Sequence, residues 1–415
     1  MWEALDQAGL VVRLLPEWDR VRSRPQRNAY HRYTVDRHLV ETVVHAAALA
    51  PRTDRPDLLL LGALLHDLGK GWPGDHSVVG AALVLDLGPR LGLPPDDVAL
   101  LSALVRHHLL LPDTATRRDP DDPVTQRLVA GACGDRTVLE LLVPLAEADG
   151  RATGPAAWSD WKAGLVRAVA DRAAAVLAGR PPPPAPGPSP VQQRLAAAGE
   201  PAVVVTDDAA GPTVTVAAPD RPGLLAAAAG VLALHRLDVR SASTAVLPGP
   251  GGPVGVPVFA VLPRPGASLD AGLLRDDLRR ALDGALDLTR RLAEREQAYA
   301  PRGEPPPPAV VRLVEGEATG ATVVQVRARD GVGLLHRVAA ALTGAGLDLR
   351  GARVQTLGAE VVDSFYVVGP DGRELTDPAL RARTTAAVRA ALAPPVREPG
   401  GPRAAAPGTP AGPRS

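Results

Sequence analysis

A stretch that occurs twice constrains this chain more than any other feature. DRPGLLAAAAGVLALHRLDVRSA, starting at Asp220, aligns without gaps with DGVGLLHRVAAALTGAGLDLRGA, starting at Asp330, at an offset of 110 residues. Asp220/Asp330, Gly223/Gly333, Leu224/Leu334, Leu225/Leu335, Leu232/Leu342, Leu237/Leu347, Asp238/Asp348, Arg240/Arg350 and Ala242/Ala352 are identical pairs. Solenoid repeats recur every ~20–50 residues, so this period means two copies of one domain. Each copy opens with a β-rich run, Thr213–Ala218 and Ala321–Ala328, then a turn and an apolar helix. Further extended stretches follow, among them Phe259–Leu262 and Ser364–Val368, and each copy closes on an amphipathic helix, Leu269–Leu282 and Pro378–Leu392. That order predicts an antiparallel sheet with both helices on one face, an α+β sandwich. PPVREPGG, after Leu392, is a poor final strand for the second copy.

Two proline-rich breaks, Gly179–Pro190 and Pro301–Pro308, read as extended spacers. The expected organisation is a helical domain over 1–178, a linker over 179–199, the first copy over 200–300, a linker over 301–308 and the second copy over 309–393. Residues 394–415 have little to bury and are expected to be disordered. Within 1–178, helix-like apolar spacing covers Thr34–Ala50, Asp57–Lys70, His76–Leu87, Asp96–Leu110, Val124–Cys133, Val138–Asp149 and Trp158–Leu177. The net charge is zero, which argues against bulk electrostatic binding to nucleic acid or an anionic membrane. The longest apolar run, Leu58–Leu65, falls short of the ~20 residues of a membrane span. One cysteine excludes a disulfide framework within the chain, and the N-terminus lacks a signal-peptide pattern. A cytoplasmic protein is the expectation. The 46 basic residues include two lysines, Lys70 and Lys162. Where composition drives Lys to Arg, a retained Lys is informative, because its compact ammonium differs from the rigid guanidinium fork.

Seven of nine histidines fall between His31 and His108. His38 lies in YTVDRHLVETV, His66-Asp67 ends the apolar run LLLLGALLHD, His76 follows in DHSVVG, the pair His107-His108 follows in ALVRHH, and Asp149 closes the set in LAEADG. Burying so many polar groups costs several kcal/mol unless they are paired or bound to metal. Imidazole and carboxylate donors together suit a hard or borderline divalent cation. A purely structural histidine cluster is the competing reading.

The order H…HD…H…HH…D resembles the HD superfamily of metal-dependent phosphohydrolases. The resemblance implies His38, His66, Asp67 and Asp149 as a basic ligand set, with His76, His107 and His108 added in a version with two metals bridged by Asp67. Lys70, in HDLGK, would then contact phosphate. The metal would be Mn²⁺ or Mg²⁺, with Fe or Zn as alternatives, one or two ions per chain. Such an ion makes hydroxide available near neutral pH and neutralises phosphoryl charge.

The wider pattern is closer still. PEWDRVRSRPQRNAYHRYTVDRHLVETV, LLGALLHDLGKGWPGDHSVVGA, LVRHHLLLPDTATRRD and LAEADGRATGPAAWSDWKAGLV look like the HD portion of the bifunctional PII uridylyltransferase/uridylyl-removing family, which continues into two ACT domains. By that resemblance each repeat is a βαββαβ, ferredoxin-like ACT domain, entered at PDRPGLL and RDGVGLL. ACT domains bind amino acids, and glutamine is the family's effector. Asp220, Gly223, Leu224, Asp330, Gly333 and Leu334 are the implied ligand-binding positions; Asp220 and Asp330 as simple helix caps is an equally weighted reading. The implied function is removal of a nucleotidyl group, UMP or AMP, from modified PII signal protein, under glutamine control, with homo-oligomers through the ACT domains as a further option. The chain begins at the approach to the HD motifs and shows no Gly-Ser loop with paired aspartates, so transferase activity is not expected from it. Two other readings compete. One is a phosphohydrolase of small nucleotides, although HDLGK differs from the HD-x-x-E-D pattern of alarmone hydrolases. The other is a non-catalytic amino-acid sensor.

Overall fold

The computed structural model describes residues 2–26, 32–154, 157–185, 187–208, 211–299, 308–357 and 360–393. His31, most of the second proline-rich linker and the tail from 394 lie outside the described residues.

Residues 2–177 form helices α1 (Trp2–Gln7), α2 (Leu10–Leu14), α3 (Val35–Leu49), α4 (Pro56–Leu65), α5 (His76–Arg90), α6 (Pro95–His107), α7 (Leu110–Arg117), α8 (Pro123–Cys133), α9 (Arg136–Thr153) and α10 (Asp160–Leu177). Their apolar faces close on one core in which Trp18, Leu39, Leu58, Leu101 and Leu142 are fully enclosed. Caps set several boundaries: the carboxylates of Asp75, Asp122 and Asp135 accept N–H groups in the first turns of α5, α8 and α9. The run expected as one helix over Asp57–Lys70 breaks at His66, and Leu68–Gly71 is a 3-10 turn. The helix expected to reach Leu110 ends at His107, and α7 starts anew.

The first linker is shorter than expected. Pro190–Ala198 is helix α11, started by a capping box between Ser189 and Gln192. Ala196 on α11 is buried against Ala217, Val254 and Val256, so residues 190–198 pack on the first copy.

The first copy comprises β1 (Ala202–Asp208), β2 (Gly211–Pro219), α12 (Leu224–Leu234), β3 (Leu237–Ser243), a hairpin of β4 (Val246–Gly249) and β5 (Gly252–Gly255), β6 (Val258–Pro263), α13 (Ala271–Leu282) and α14 (Leu288–Tyr299). The second comprises β7 (Val310–Val314), β8 (Thr322–Arg329), α15 (Leu334–Gly344), β9 (Asp348–Leu357), β10 (Glu360–Val368) and α16 (Pro378–Leu392). The α+β class is as expected, but the strand order differs. The edge beside the first repeat strand is occupied from the N-terminal side, by β1 on β2 and by β7 on β8, both antiparallel. Each copy is therefore ββαββα, and the weak PPVREPGG segment is not needed to complete the second sheet.

The two sheets join edge to edge. Antiparallel pairing of β3 with β9, centred on Ala242↔Ala352, makes one ten-stranded sheet. One row crosses it: Val205, Val214, Phe259, Ala242, Ala352, Phe365, Val324, Leu313. The chain's two phenylalanines thus occupy equivalent places on either side of a pseudo-twofold axis, each fully buried. On the helical side α12 meets α15, where His336 Nδ1 lies 2.8 Å from the Ala226 carbonyl oxygen. Gly230 makes room, since a Cβ there would stand 2.8 Å from that imidazole.

The second copy also packs on the helical domain. Arg118 pairs with Glu317 at 2.6 Å and Arg353 with Asp119 at 3.6 Å. Thr319 Oγ1 donates to Asp122 at 2.8 Å, and the Tyr366 hydroxyl donates to the Arg117 carbonyl at 3.2 Å.

Burial holds the His336 pKa below the ordinary value of 6.5. The neutral ring therefore stabilises the helix pair above that value, and the contribution is lost as pH falls beneath it. His336→Gln, which keeps a donor, should make the melting temperature of the repeat pair less sensitive to acidification from about pH 7.5 to about 5.5 than in the parent protein. Equal sensitivity in calorimetric scans would contradict this.

Candidate metal centre and inter-repeat cavity

The expected donors sit at helix ends, where backbone geometry can aim a side chain inward. His38 lies in the first turn of α3, His66 follows the end of α4, His76 opens α5, His108 follows α6, and Asp149 lies in the last turns of α9. His38, His66, Asp67 and His108 are at most 2% exposed. His38 Nε2 stands 3.3 Å from His66 Nε2, 3.1 Å from Asp149 Oδ1 and 3.6 Å from Asp67 Oδ2. His66 Nε2 is 3.5 Å from Asp67 Oδ2 and 3.7 Å from Asp149 Oδ1. The other carboxylate oxygen, Asp67 Oδ1, faces His76 Nε2 at 3.4 Å and His108 Nε2 at 3.6 Å. The donors thus form two groups, His38–His66–Asp67 and Asp67–His76–His108, sharing one carboxylate.

This donor set fits a cation. His66 Nδ1 lies 2.9 Å from the Ala63 carbonyl and His108 Nδ1 lies 2.8 Å from that of Val105. A carbonyl only accepts, so both rings carry a proton on Nδ1 and turn Nε2 inward, the orientation typical of metal-ligating histidine. Electron-rich atoms that converge in a buried space repel one another unless protons or a cation stand between them. Burial opposes charge at each member. Against it, Asp67 and Asp149 raise the His66 pKa, while His66 and Lys70 hold the Asp67 carboxyl well below the usual range. Burial, with His66, pushes His108 down to about 4, so its ring is neutral at ordinary pH.

His107 is the exception. Asp149 also lies outside the two donor groups but meets His38 and His66 through its Oδ1, whereas His107 is half-buried beside Arg106. Adjacent helical residues point about 100° apart, so when His108 turns inward its neighbour cannot. Lys70 ion-pairs with Asp67, and its Nζ also donates to Gln26 Oε1 at 2.8 Å. Sequence reasoning gave no signal for Gln26.

Gly69 does more than end a helix. A Cβ there would stand 2.0 Å from the His76 carbonyl oxygen and 2.7 Å from the Gly80 nitrogen. The 3-10 turn after Asp67 thus presses directly on the first turns of α5, which brings His76 to Asp67. Gly69→Ala should destabilise the helical domain by about 3 kcal/mol or more, a backbone clash with no flexible atom to yield. Denaturant melts that differ by less than about 1 kcal/mol would refute this contact.

A second feature lies between the repeats. A cavity of about 380 Å³ is lined by Arg236, Asp238 and Arg264 from the first copy and by Asp330, Gly333 and Leu334 from the second. Arg264 Nε lies 2.7 Å from Asp238 Oδ2, and Arg264 Nη2 lies 3.6 Å from Asp330 Oδ2. Burial raises the Asp330 pKa against the pull of Arg264. Gly333, at φ 71°, holds a left-handed conformation that opens α15 and favours glycine. Gly223 plays the same part for α12 at φ 86°. The Asp220 loop does not line this cavity. The β4–β5 hairpin covers it: the Asp220 N–H donates to the Pro253 carbonyl, and a Cβ on Gly255 would stand 2.7 Å from Leu224. The equivalence expected of Asp220, Gly223 and Leu224 is therefore broken by an insertion in the first copy.

Residues 35–148 match the HD domain family and residues 322–384 the ACT domain family. The chain is 47% identical over 421 residues to the bifunctional uridylyltransferase/uridylyl-removing enzyme of Streptomyces coelicolor, which covers 90% of this chain and 50% of that protein. It is 45% identical over 384 residues to the enzyme of the same description from Mycobacterium tuberculosis, covering 89% and 47%. A relative from Gluconobacter oxydans is 33% identical over 450 residues, covering 91% and 47%. The chain spans about half the length of the curated relatives it matches. The chain thus carries an HD domain and an ACT domain, and along nine-tenths of its length it is similar to about half the length of the bifunctional uridylyltransferase/uridylyl-removing enzymes.

Proposed function

We propose that this chain is a metal-dependent phosphodiesterase that removes a nucleotidyl group, UMP or in some settings AMP, from modified PII signal protein, and that glutamine at the repeat pair controls it. The observation that carries the reading is the single buried carboxylate whose two oxygens face two separate imidazole pairs. His38, His66, Asp67 and Asp149 would hold one divalent ion, and Asp67, His76 and His108 a second. Mixed oxygen and imidazole donors suit Mn²⁺, with Mg²⁺, Fe or Zn as alternatives. Bound there, the ions supply Lewis acidity and make hydroxide available near neutral pH.

The chain's own residues set the rest. Nδ1–H bonds to Ala63 and Val105 fix two rings before substrate arrives. Lys70, held by Asp67 and Gln26, places a cation beside the shared carboxylate. Hydrolysis adds water across the phosphorus–oxygen bond to the protein side chain; the nucleotide leaves as a monoester and the side-chain oxygen takes a proton.

In the inter-repeat cavity, Asp238 and Asp330 suit an amino acid's ammonium and Arg264 its carboxylate. The cavity's wall includes Val354 on β9 and Val361 and Asp363 on β10. Those strands carry Arg353 and Tyr366, which touch Asp119 and the Arg117 carbonyl of the helical domain. An amino acid that binds one arrangement of these strands more tightly would shift the hydrolytic site with it.

The test is to incubate uridylylated PII with the protein and Mn²⁺, with and without glutamine, and to measure released nucleotide. Release should fall at least about 100-fold in His66→Ala, the loss typical of removing a metal ligand's chemistry. No release above that variant, with any PII modification, would refute the reading. Manganese titration should give two ions per chain in the parent and one in His76→Ala; equal stoichiometry would remove the second site.

A further inference from the structure

We infer that Lys162 is a second, non-metal cation of the hydrolytic site, receiving the phosphate of the substrate and of the departing nucleotide on the Asp149 side. The inference rests on the hydrolase reading only for the phosphoester class of its ligand.

Four observations single this residue out. First, the chain has two lysines among 46 basic residues, and the other, Lys70, already stands at the cluster. Second, Lys162 occupies the first turn of α10, where Ser159 caps its N–H. A cation there opposes the helix macrodipole, so helix stability does not explain it. Third, the ammonium is half-buried, and among the described residues no carboxylate lies within 4.0 Å of it. Its partner is the Ala157 carbonyl, 3.0 Å away. Fourth, that carbonyl belongs to the turn following α9, the helix that carries Asp149. The turn is clamped in place by Trp158, whose ring would stand 2.7 Å from a Cβ on Gly150. Lys162 thereby sits within electrostatic range of Asp149 and Asp113, with Arg117 also nearby. Burial holds its pKa below the ordinary lysine value against the pull of those two carboxylates.

A desolvated ammonium without an ion-pair partner is costly to keep unless an anion arrives. The reaction supplies one. The phosphodiester carries one negative charge, and after water adds and the bond to the side-chain oxygen breaks, the monoester carries two near neutral pH. A fixed cation beside the metal cluster is complementary to that growing charge. Lys70 pairs with Asp67, and Lys162 is held by the turn whose Trp158 packs on Gly150, the residue next to Asp149.

The experiment compares full-length parent, Lys162→Met and Lys162→Arg. It measures UMP and inorganic phosphate binding to metal-free protein by calorimetry, melting temperature, and KM and kcat on nucleotidylated PII with Mn²⁺. Lys162→Met should weaken UMP binding and raise KM about tenfold, the loss expected for one charged hydrogen bond, with Lys162→Arg recovering most of it. The melting temperature of Lys162→Met should not fall below that of the parent, since the substitution removes a desolvated charge. If inorganic phosphate shows the same loss, the phosphoryl group alone is recognised. UMP binding equal in parent and Lys162→Met overturns the inference. So does a binding loss accompanied by a matching fall in melting temperature that Lys162→Arg does not restore, which would mark a tether for the 157–159 turn. The binding arm uses no PII, so a failure of the PII reading leaves it decisive.

Discussion

Asp67 presents one oxygen to His38 and His66 and the other to His76 and His108, from a position almost closed to solvent. Much of the surrounding backbone is arranged to make that possible. The helix that buries Leu58–Leu65 must stop at His66, because a further α-helical turn would carry Asp67 away from α5. The 3-10 turn through Gly69 then presses on the His76 carbonyl at a distance no side chain would allow. Gly80 continues the same seam, since a Cβ there would stand 2.9 Å from Val105, next to the carbonyl that orients His108. One shared carboxylate therefore requires two glycines and two helix ends within a few residues. The apolar core is the rigid support that holds them.

Much of this centre was legible in the sequence because its donors interrupt apolar helices, and polar groups in such places need a reason. The choice between His107 and His108 was not legible, because spacing places both near the site and only the phase of α6 decides. Gln26 gave no sign, being one polar residue in a polar loop. In the repeats, the core strands and helices were readable from β-branched alternation and from the offset of 110. The edge strands were not. Ala202–Asp208 and Val310–Val314 precede the aligned segment, and their equivalent residues, Val205 and Leu313, lie 108 apart rather than 110. Helix α11 was hidden by the prolines before it, although Ser189 and Gln192 spell a capping box.

Duplication explains the sheet and also its asymmetry. The row that pairs Phe259 with Ala242 and Phe365 with Ala352 repeats about the β3–β9 seam. The two phenylalanines are offset by 106 rather than 110, because the loops and the β4–β5 hairpin between the equivalent strands differ in length. That hairpin lies on the Asp220 loop. Over the second copy, α14 packs Leu292 against Gly333, yet the cavity with Arg264 and Asp330 persists beside it. The two copies differ here, so that an inter-repeat cavity opens on the Asp330 loop while the Asp220 loop is covered.

The position of that cavity also bears on how the two halves are joined. Helix α7 begins two residues after His108 and ends at Arg117, whose carbonyl accepts the Tyr366 hydroxyl from β10. It also carries the half-buried Asp113 and Arg117, the charged neighbours of Lys162. The following segment, Arg118–Asp122, is fixed to the second copy by three further side-chain contacts. A displacement of β9 or β10 by a fraction of an ångström would be felt at the end of a two-turn helix whose other end adjoins His108. Packed interiors transmit such shifts because they have no voids in which to absorb them. The shortness of α7 therefore matters as much as its contacts: a two-turn helix spans the distance from the strands lining the cavity to the rim of the His/Asp cluster.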